Sequence, residues 1–540
     1  MSEPNDFAIG IDLGTTNTVF AVYRHNNAEV LQNSEGDRLT KSCVMYTAGG
    51  VLVGNIAFER KNSSSDDVIL LSKRYMGRSP KDDEVEIDNL HLPWQQPINE
   101  NGKLKFPVKE RGNRRNFSPE EVASEILRKV RFDAEKALGV KRITKAVISV
   151  PAYFNAKRIQ ATKDAAVIAG FEVLQIVHEP IAAAIAYGQK EKLIPGSKIL
   201  VYDLGGGTFD ATVIEVKKKM SFKVLAVAGD SHLGGENFNH RITNKLVLEL
   251  NRRDRVKLDM ARDEFKSDRL FLRDAVEEAK RTLTAQREKQ LSFQIGSHVY
   301  DEKLSRAKFE NFCVDLFKQT IDIMSNAIKK AKLTKNQIDR VVIVGGSTRI
   351  PKIRAMLKEF FPEKTKHDYS VNVDEAVAMG CAILAAKRNG NQVLRDLTLV
   401  DINPFTFGVR VEEKNDAEAF VTKLIEKGSA IPSPAVKQQF FTYDESQTEV
   451  VIPIYQIEDM AEQDQKKEVK ITEFTIKCKR GPKEQPKVEV SFELNENRLL
   501  TVTAVDLNDP NNTKTIKINT STPNMTDKEI EARKNDAIPM

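Results

Sequence analysis

The chain has 540 residues, 40% hydrophobic and 30% charged, which is typical of soluble proteins of more than one domain and excludes a disordered chain. Lysine and arginine outnumber aspartate and glutamate by only 83 to 77, which excludes a strongly basic nucleic-acid-binding surface. With four scattered cysteines, no signal peptide and no apolar run near the roughly 18 residues of a spanning helix, we expect a cytoplasmic or nuclear location without membrane partners.

The first predicted element is a strand–turn–strand unit in residues 7–23, and it recurs in residues 199–214. Each copy is an apolar, β-branched strand followed by Asp-Leu-Gly, a threonine and a second apolar strand. This weak internal repeat indicates two similar α/β halves. We expect a helix at 118–138 in the first half, where Ser118 and the following proline form a helix start, and a helix at 303–332 in the second half.

The glycine turns after these strands have the chemistry of a phosphate site. Glycine lets backbone N–H groups approach phosphate oxygens, and a threonine hydroxyl adds a donor. The aspartate at the strand end can then hold Mg²⁺ through waters. The turn residues are Asp12, Gly14, Thr15 and Thr16 in the first copy, and Asp203, Gly205, Gly206, Gly207 and Thr208 in the second. One such turn also fits an ordinary β-turn, whereas two copies favour a phosphate site.

A third glycine turn follows a strand at residues 341–349, and an amphipathic helix is predicted at 272–284. The turn alone also fits an ordinary strand-to-helix junction. The apolar stripe of the helix, which we expect in the core, consists of Leu272, Val276, Ala279 and Leu283. The polar stripe beside it consists of Glu277, Lys280, Arg281 and Thr284. By pattern alone this second stripe is a solvated face with an ion pair.

The pattern changes near residue 390, where a polar segment ends a helix predicted at 374–387. A short apolar strip bounded by Asp396 and Asp401 follows. Beyond it, apolar and polar residues alternate in segments separated by turns, which predicts a β-sandwich. We therefore divide the chain into a first domain at 1–390, a linker at 391–400, a β-sandwich at 401–519 and a short helix or tail at 520–540.

Three segments of the chain resemble the signatures of the seventy-kilodalton heat-shock (DnaK-type) chaperone family. They read IDLGTTNT, VYDLGGGTFD and IVGGSTRIPKI, and VPAYFNAKRIQATKDAAVIAGFEV is similar to the family's first connecting segment. The resemblance extends from about residue 7 to residue 519. It implies an actin-like, two-lobed ATPase with ribonuclease-H-like duplicated halves, followed by a peptide-binding β-sandwich. The implied function is an ATP-dependent chaperone that binds unfolded polypeptides.

The resemblance also implies roles for individual residues. The residues implied in ATP hydrolysis are Lys73, Glu179, Asp203, Thr208 and Asp12. Of these, Asp12, Glu179 and Asp203 would surround Mg²⁺, and Lys73 would lie near the attacking water. The residues implied in nucleotide binding are Gly14, Thr15, Thr16, Gly205, Gly206, Gly207, Gly234, Gly235, Glu277, Lys280, Arg281, Thr284, Gly345, Gly346, Arg349 and Asp374. The implied cofactors are ATP or ADP and Mg²⁺, with K⁺ as a further candidate.

The chain departs from the family pattern where the two domains are coupled. Ile159 and Gln175 stand where arginines are expected, and Ala156 stands where an aspartate is expected. Replacing a planar, permanently charged donor by isoleucine is not conservative. We therefore expect weak interdomain communication and little stimulation by J-domain co-chaperones. Nucleotide-exchange factors remain candidate partners. We expect the helical lid of the family to be nearly absent.

Residues that align with the family's peptide pocket have an equally good interpretation as sandwich core. They are Val409, Val411, Phe440, Val450 and Ile452. Two other functions remain open. The chain could be an ATP-binding regulatory partner of another chaperone or of the ribosome, which the departures at Ile159 and Gln175 favour. An actin-like sugar kinase would share the two phosphate turns but would leave residues 401–519 unexplained.

Overall fold

The computed structural model describes most of the chain between Phe7 and Asn535. The described ranges are 7–63, 66–92, 96–191, 193–218, 220–254, 265–403, 405–411, 420–442, 445–459, 466–480, 485–496, 499–519 and 527–535. Within these ranges, no helix has the length and apolar character needed to cross a membrane.

The first half of the α/β part contains twelve strands and five helices among its described residues. The strands are β1 (Ala8–Leu13), β2 (Asn17–Arg24), β3 (Asn27–Val30), β4 (Thr40–Lys41), β5 (Cys43–Thr47), β6 (Gly50–Val53), β7 (Val68–Leu70), β8 (Ile98–Glu100), β9 (Lys103–Glu110), β10 (Asn113–Phe117), β11 (Lys145–Val150) and β12 (Glu172–His178). The helices are α1 (Asn55–Arg60), α2 (Asp83–His91), α3 (Pro119–Leu138), α4 (Ala156–Ile168) and α5 (Glu179–Lys190). The predicted helix at 118–138 is α3, and Ser118 and Glu121 form a reciprocal capping box at its start.

The second half has the same kind of composition. Its strands are β13 (Lys198–Leu204), β14 (Phe209–Lys218), β15 (Ser221–Asp230), β16 (Glu288–Ile295), β17 (His298–Ser305), β18 (Arg340–Val344) and β19 (Lys366–Asp368). Its helices are α6 (Gly235–Asp254), α7 (Lys266–Thr282), α8 (Arg306–Phe312), α9 (Val314–Lys330), α10 (Pro351–Phe360) and α11 (Ala376–Arg388). The helix predicted at 374–387 is α11.

The helix predicted at 303–332 is confirmed over residues 306–330, but its start is wrong and it is not continuous. Residues 303–305 complete β17, which forms a hairpin with β16 in which Ser305 pairs with Glu288. The helix begins only after Ser305, whose side chain accepts a hydrogen bond from the Lys308 N–H. It is then divided at Cys313 into α8 and α9. Pairing with β16 thus decided the conformation of the first three residues, and local pattern does not reveal that pairing.

The two central sheets repeat one topology. The first has the strand order β12-β11-β1-β2-β3, with β4 beside β2, and the second has the order β19-β18-β13-β14-β15. In each sheet the first three strands of this order are parallel and the next two are antiparallel. The same order and directions in both sheets confirm the predicted duplication of an α/β half.

Helices α5 and α11 pack against each other between the two sheets. They approach so closely that a Cβ atom at Gly380 would lie 1.8 Å from the carbonyl oxygen of Ala182. Only glycine can occupy this crossing. The contact fixes the first residue of α5, Glu179, at the end of the first sheet, next to the ends of β1 and β11.

Ten strands remain among the described residues, and all of them except the first and the fourth form the predicted β-sandwich. They are β20 (Thr398–Ile402), β21 (Thr406–Val411), β22 (Phe420–Ile425), β23 (Ala430–Ile431), β24 (Val436–Phe440), β25 (Glu449–Asp459), β26 (Lys466–Lys477), β27 (Val488–Leu494), β28 (Leu499–Asp506) and β29 (Asp509–Asn519). Two four-stranded sheets, β22-β21-β25-β26 and β24-β27-β28-β29, enclose one apolar core.

The segment that joins the two parts is itself a strand. Residues Thr398 to Val400 of β20 pair in parallel with Ser221 to Lys223 of β15, and β23 pairs with the end of β20. The last residues of the predicted linker therefore extend the second central sheet, while the domain boundaries remain a prediction. Of the predicted tail, α12 (Asp527–Asn535) is described, and its Ile530 packs against Ile168 of the first half.

Candidate functional site

The turn between β1 and β2 is held by side chains of the first half. The Ser42 N–H donates to the carbonyl of Thr16 at 2.9 Å, and its hydroxyl donates to the carbonyl of Gly14 at 2.7 Å. Asp12 lies just before the turn, and the Ser149 hydroxyl donates to its Oδ1 at 3.1 Å. The predicted turn is therefore formed, with its aspartate anchored at the end of the sheet.

The corresponding turn between β13 and β14 is held by two neighbouring elements. Its own hydrogen bond runs from the Gly205 N–H to the Thr208 carbonyl at 3.0 Å. The carbonyl of Gly205 accepts from the N–H of Gly235, at the start of α6, at 3.0 Å, and from the hydroxyl of Ser347 at 2.8 Å. The start of α6 and the third glycine turn thus meet at the second phosphate turn.

The two glycine turns fit into each other. A Cβ atom at Gly206 would lie 2.2 Å from Oγ1 of Thr16, and one at Gly207 would lie 2.7 Å from Oγ1 of Thr15. A Cβ atom at Gly234 would lie 2.7 Å from the backbone nitrogen of Gly207. In the part of the chain that the structure describes, the buried Thr16 Oγ1 has no hydrogen-bond partner. These glycines and hydroxyls form one cradle, and its backbone and hydroxyl donors suit a phosphate chain.

Buried carboxylates and one lysine surround this cradle. The ammonium of Lys73 lies 2.6 Å from Oε1 of Glu179, and both side chains are buried. Burial and the charge of Glu179 raise the pKa of Asp12 to about 7. Burial, followed by Glu179, also raises the pKa of Asp203 well above its usual range. A cation would favour the charged forms of these carboxylates, because an opposite charge lowers the pKa of an acid.

The carboxylates do not form a coordination sphere by themselves. Among the residues given coordinates above, no group of three or more His, Cys, Asp or Glu side chains is arranged to hold a metal ion. Mg²⁺ keeps several waters and binds one or two carboxylates together with phosphate oxygens. Asp12, Glu179 and Asp203 are the residues that would hold it, through waters.

Asp210 is a member of this cluster that sequence reasoning missed. It lies on β14 directly opposite Asp203, and its Oδ2 accepts from the Ala152 N–H at 3.2 Å. Its buried Oδ1 has no hydrogen-bond partner among the described residues. Burial and then Glu179 raise the pKa of Asp210 to about 8. The available signal was an aspartate inside the apolar strand of the VYDLGGGTFD segment.

The polar stripe of α7 is more than a solvated face. The Lys280 ammonium is buried, lies 2.5 Å from the Glu277 carboxylate, and donates to the carbonyl of Gly235 at 2.9 Å. The Asn239 amide also donates to Glu277, at 2.9 Å. Burial alone would raise the pKa of Glu277, but Lys280 and Arg273 lower it to about 2. The predicted apolar stripe is fully buried, as expected, at Leu272, Val276, Ala279 and Leu283.

The third glycine turn also reaches Gly235, where a Cβ atom would lie 2.8 Å from Oγ of Ser347. A Cβ atom at Gly345 would lie 2.3 Å from the Leu204 carbonyl oxygen, and one at Gly346 would lie 2.9 Å from Oδ1 of Asp374. Arg349 forms an ion pair with Asp374 at 2.6 Å. The structure therefore brings this turn to the second phosphate turn.

Arg281 and Thr284 lie at the end of α7. The Thr284 hydroxyl donates to the Arg281 carbonyl at 2.8 Å. The charge of Arg281 also helps to lower the pKa of Lys41, after the larger effect of burial. Lys41 belongs to the first half, so the charge at the end of α7 acts across the space between the two halves of the α/β part.

Arg74 joins the two halves beside the cradle, and it was also missed. Its guanidinium pairs with Asp88 at 2.7 Å and donates to the side chain of Asn237 at 2.7 Å and to the carbonyl of Gly207 at 3.5 Å. Burial would raise the pKa of Asp88, but Arg74, followed by His232, lowers it to about 2. No local pattern distinguishes Arg74 from a surface arginine, since its partners come from distant segments.

The positions that depart from the family pattern are engaged inside the molecule. Ile159 is 6% exposed and belongs to the apolar core of the first half. The side-chain oxygen of Gln175 accepts from Arg388 at 2.8 Å, and Arg388 also pairs with Glu496 of the sandwich. The side chain of Ala156 lies outside the described part. Gln175 thus contributes to a contact between the α/β part and the sandwich.

A second contact joins the same two parts. Nδ1 of His178 lies 3.4 Å from Oδ2 of Asp401, the residue that follows the predicted linker. His178 immediately precedes Glu179, which pairs with Lys73. The connecting strand therefore lies beside the residue that precedes Glu179 of the carboxylate cluster.

The predicted peptide-pocket residues belong to the sandwich core or contact it. Val409 is 4% exposed and Ile452 is 2% exposed, and both lie in the apolar cluster shared by the two sheets. The half-buried residues packed against this cluster include Val411, Phe440 and Val450. These positions agree with a core role, and the peptide pocket stays a prediction.

Comparison with known proteins covers almost the whole chain. A family model described as Hsp70 protein matches residues 8–539. The heat shock 70 kDa proteins of Emericella nidulans and Neurospora crassa are each 37% identical over 506 residues, which is 92% of this chain and 76% of each relative. The heat shock 70 kDa protein 2 of Paracoccidioides lutzii is 36% identical over 507 residues, covering 92% of this chain and 75% of the relative.

Proposed function

The chain belongs to the Hsp70 family, and from this premise we propose that it is a molecular chaperone that hydrolyses ATP and binds unfolded or extended polypeptide segments. Family membership establishes the predicted fold class, an actin-like two-lobed α/β nucleotidase followed by a β-sandwich. Membership also supports chaperone function in general. Beyond this, we propose that this chain itself hydrolyses ATP, that the site residues named above carry out the hydrolysis, and that unfolded polypeptides are its clients.

The observation that carries the nucleotide proposal is the interlocked pair of glycine turns. Their backbone N–H groups and the hydroxyls of Thr15, Thr16 and Thr208 are the donors that would hold phosphate oxygens. The start of α6 at Gly235 adds the positive end of a helix dipole on the same side. The adenosine would then lie between the polar stripe of α7 and the third glycine turn, which meet at Gly235.

The proposed hydrolysis needs positioning and charge neutralisation more than covalent chemistry. Bound Mg²⁺ would supply charge neutralisation at the phosphates. The Lys73 ammonium, held by Glu179 at 2.6 Å, would orient the attacking water and balance charge that develops on the terminal phosphate. Burial of both side chains strengthens this interaction, because charges interact more strongly where water is excluded.

ATP binding and turnover by the purified chain test this proposal. We expect steady hydrolysis of ATP that requires Mg²⁺, and calorimetric titration should show ATP binding that is stronger with Mg²⁺ than without it. Asp203→Asn should reduce this Mg²⁺-dependent gain in affinity, because it removes one charge that faces the ion. A chain that binds no nucleotide in either condition would contradict the proposal.

We further propose that nucleotide binding by the α/β part and peptide binding by the sandwich are only weakly coupled in this chain. The support is that Ile159 is part of an apolar core and that Gln175 is engaged with Arg388. A ligand shifts an equilibrium only by its differential affinity for the two states. Peptide affinity should therefore differ only a few-fold between ATP and ADP, and a J-domain should stimulate hydrolysis little. Peptide release that accelerates a hundredfold with ATP would refute this.

A second candidate is an ATP-binding regulatory partner of another chaperone or of the ribosome. The same two positions favour it, because a regulator does not need strong coupling between nucleotide and peptide. Fluorescence anisotropy with extended apolar peptides separates the candidates. A regulator should bind no peptide with ATP or ADP, whereas a chaperone should bind peptides in at least one state. Nucleotide-exchange factors as partners and a cytoplasmic or nuclear location remain predictions under either candidate.

A further inference from the structure

Arg158 is a buried arginine in the first turn of α4, and the proposed function leaves it without a role. Arg158 is only 2% exposed. Asn155 caps α4 by accepting a hydrogen bond from the Arg158 N–H at 3.0 Å. The guanidinium leaves the helix and donates from Nη2 to the carbonyl of Lys73 at 3.0 Å and to that of Arg74 at 3.4 Å.

An aromatic ring holds the rest of this guanidinium. The Cζ atom of Arg158 lies 3.7 Å from the ring centroid of Phe154, and Nζ of Lys73 lies 5.6 Å from the same centroid. Among the described residues, the buried Nε and Nη1 of Arg158 have no hydrogen-bond partner. A guanidinium close to a ring gains cation–π attraction without using its N–H groups. The same ring therefore lies near both the arginine and the lysine.

The segment that carries Lys73 needs such support. Leu71, two residues earlier, has φ +56°, a backbone conformation that a bulky residue rarely adopts. At the other end of the segment, a Cβ atom at Gly77 would lie 2.6 Å from Cα of Arg158. Strained backbone persists only where the surrounding structure holds it. The first turn of α4 is the surface against which this segment lies.

We propose that Arg158 is a positioning residue for ATP hydrolysis. Its guanidinium fastens the carbonyls of Lys73 and Arg74 to α4 and so fixes the Lys73 ammonium beside Glu179. The inference rests on the proposed role of Lys73. Small displacements of a group that acts on the transition state reduce turnover strongly, while binding depends on the many other contacts of the nucleotide.

Substitution of Arg158 should lower the single-turnover rate of ATP hydrolysis but leave the Kd for ATP nearly unchanged. For Arg158→Gln we expect the hydrolysis rate to fall by about 10-fold to 100-fold, with the Kd for ATP within about threefold of the native value. Arg158→Lys should restore part of the rate, because an ammonium keeps the charge and can donate to a carbonyl. Lys157→Ala, an exposed neighbour on the same helix, is the matched control and should change neither quantity.

A double-mutant cycle with Lys73→Ala shows whether Arg158 acts through the lysine. In the Lys73→Ala background, Arg158→Gln should have no further effect on the rate. An equal loss in both backgrounds, or an unchanged rate for Arg158→Gln alone, would overturn the inference. If Lys73→Ala itself hydrolyses ATP at the native rate, the proposed role of Lys73 fails first. If Arg158→Gln does not fold, the same cycle with Arg158→Lys decides between these outcomes.

Discussion

The proposed nucleotide cleft and the predicted peptide face of the sandwich differ in the chemistry of their buried residues. In the cleft, the ionisable side chains of Lys73 and Asp203 belong to residues that are only 5% and 7% exposed, and the buried Thr16 hydroxyl has no partner among the described residues. Burying such groups costs free energy unless they are paired. In the sandwich, Val409 and Ile452 are buried but apolar, and packing alone explains them.

This difference shows which kind of buried residue indicates a ligand-binding site. Buried groups with perturbed pKa values, such as Asp203 and Asp210, point to a ligand because folding alone does not favour them. A buried valine or isoleucine carries no such signal, because core formation favours it anyway. The family resemblance assigns residues of both kinds, but only those of the cleft carry this signal.

The largest effect expected is on the sandwich. If Ile452 is core, Ile452→Ala should lower the free energy of unfolding by roughly 2–5 kcal/mol, because it removes buried methyl groups and leaves a cavity. Urea unfolding followed by circular dichroism measures the change. The matched control is Val451→Ala on the same strand, 54% exposed, which should change stability by less than about 0.5 kcal/mol. Unchanged stability with lost peptide binding would instead identify Ile452 as a pocket residue.

The next effect is on turnover in the cleft. Lys73→Ala should reduce kcat on the order of 10²–10³-fold, about 3–4 kcal/mol, because it removes a charge that acts mainly on the transition state. The Kd for ATP should change much less. Lys81→Ala, an exposed lysine of the same region, is the control in the same assay. Hydrolysis at the native rate would show that Lys73 has another role.

Ligand binding should stabilise the cleft by a somewhat smaller amount. At an ATP concentration 100-fold above the Kd, with Mg²⁺, the free energy of unfolding of the α/β part should rise by about 2.7 kcal/mol through mass action. Differential scanning calorimetry can resolve this, and Asp203→Asn should show a smaller gain at the same concentrations. A melting curve indifferent to millimolar ATP would remove the basis for the nucleotide assignment.

The smallest effect concerns the buried Asp88–Arg74 pair beside the cleft. Because the folded pKa of Asp88 is lowered from 3.8 to about 2, its contribution is fully present above pH 4 and is lost as the pH falls through about 2. We expect a contribution on the order of 2 kcal/mol. The stability difference between the native chain and Asp88→Asn should therefore shrink as the pH falls from about 4 to about 2. Glu86→Gln, exposed on the same helix, should show no such convergence.

Much of the fold could be predicted because its signals are local. The two strand–turn–strand units were recognisable from apolar runs and glycine turns, and the capping box of Ser118 and Glu121 appears as neighbouring residues in the chain. The wrong start predicted for the helix at 303–332 shows the limit of such signals. Its first residues pair with β16, a contact that the helical pattern of the following residues concealed.

The site was predictable in its residue types but not in its contacts. The family resemblance named Lys73 and Glu179 separately, while their ion pair joins residues 106 positions apart. Asp210, Arg74 and Arg158 were not assigned to the site at all. Each is recognisable only from its contacts in the folded chain. Asp210 pairs with Asp203 on the neighbouring strand, Arg74 donates to the Gly207 carbonyl, and Arg158 donates to the Lys73 carbonyl.

Apolar periodicity and turn residues act between neighbours in the chain, so the duplicated α/β halves, the sandwich and the two glycine turns can be predicted from the sequence. The close approach of Gly206 to Thr16, the hydrogen bond of Arg158 to the Lys73 carbonyl and the pairing of residues 398–400 with the second sheet appear only in the folded structure. These contacts depend on how two separately formed sheets pack around α5 and α11, and no short stretch of sequence contains that information.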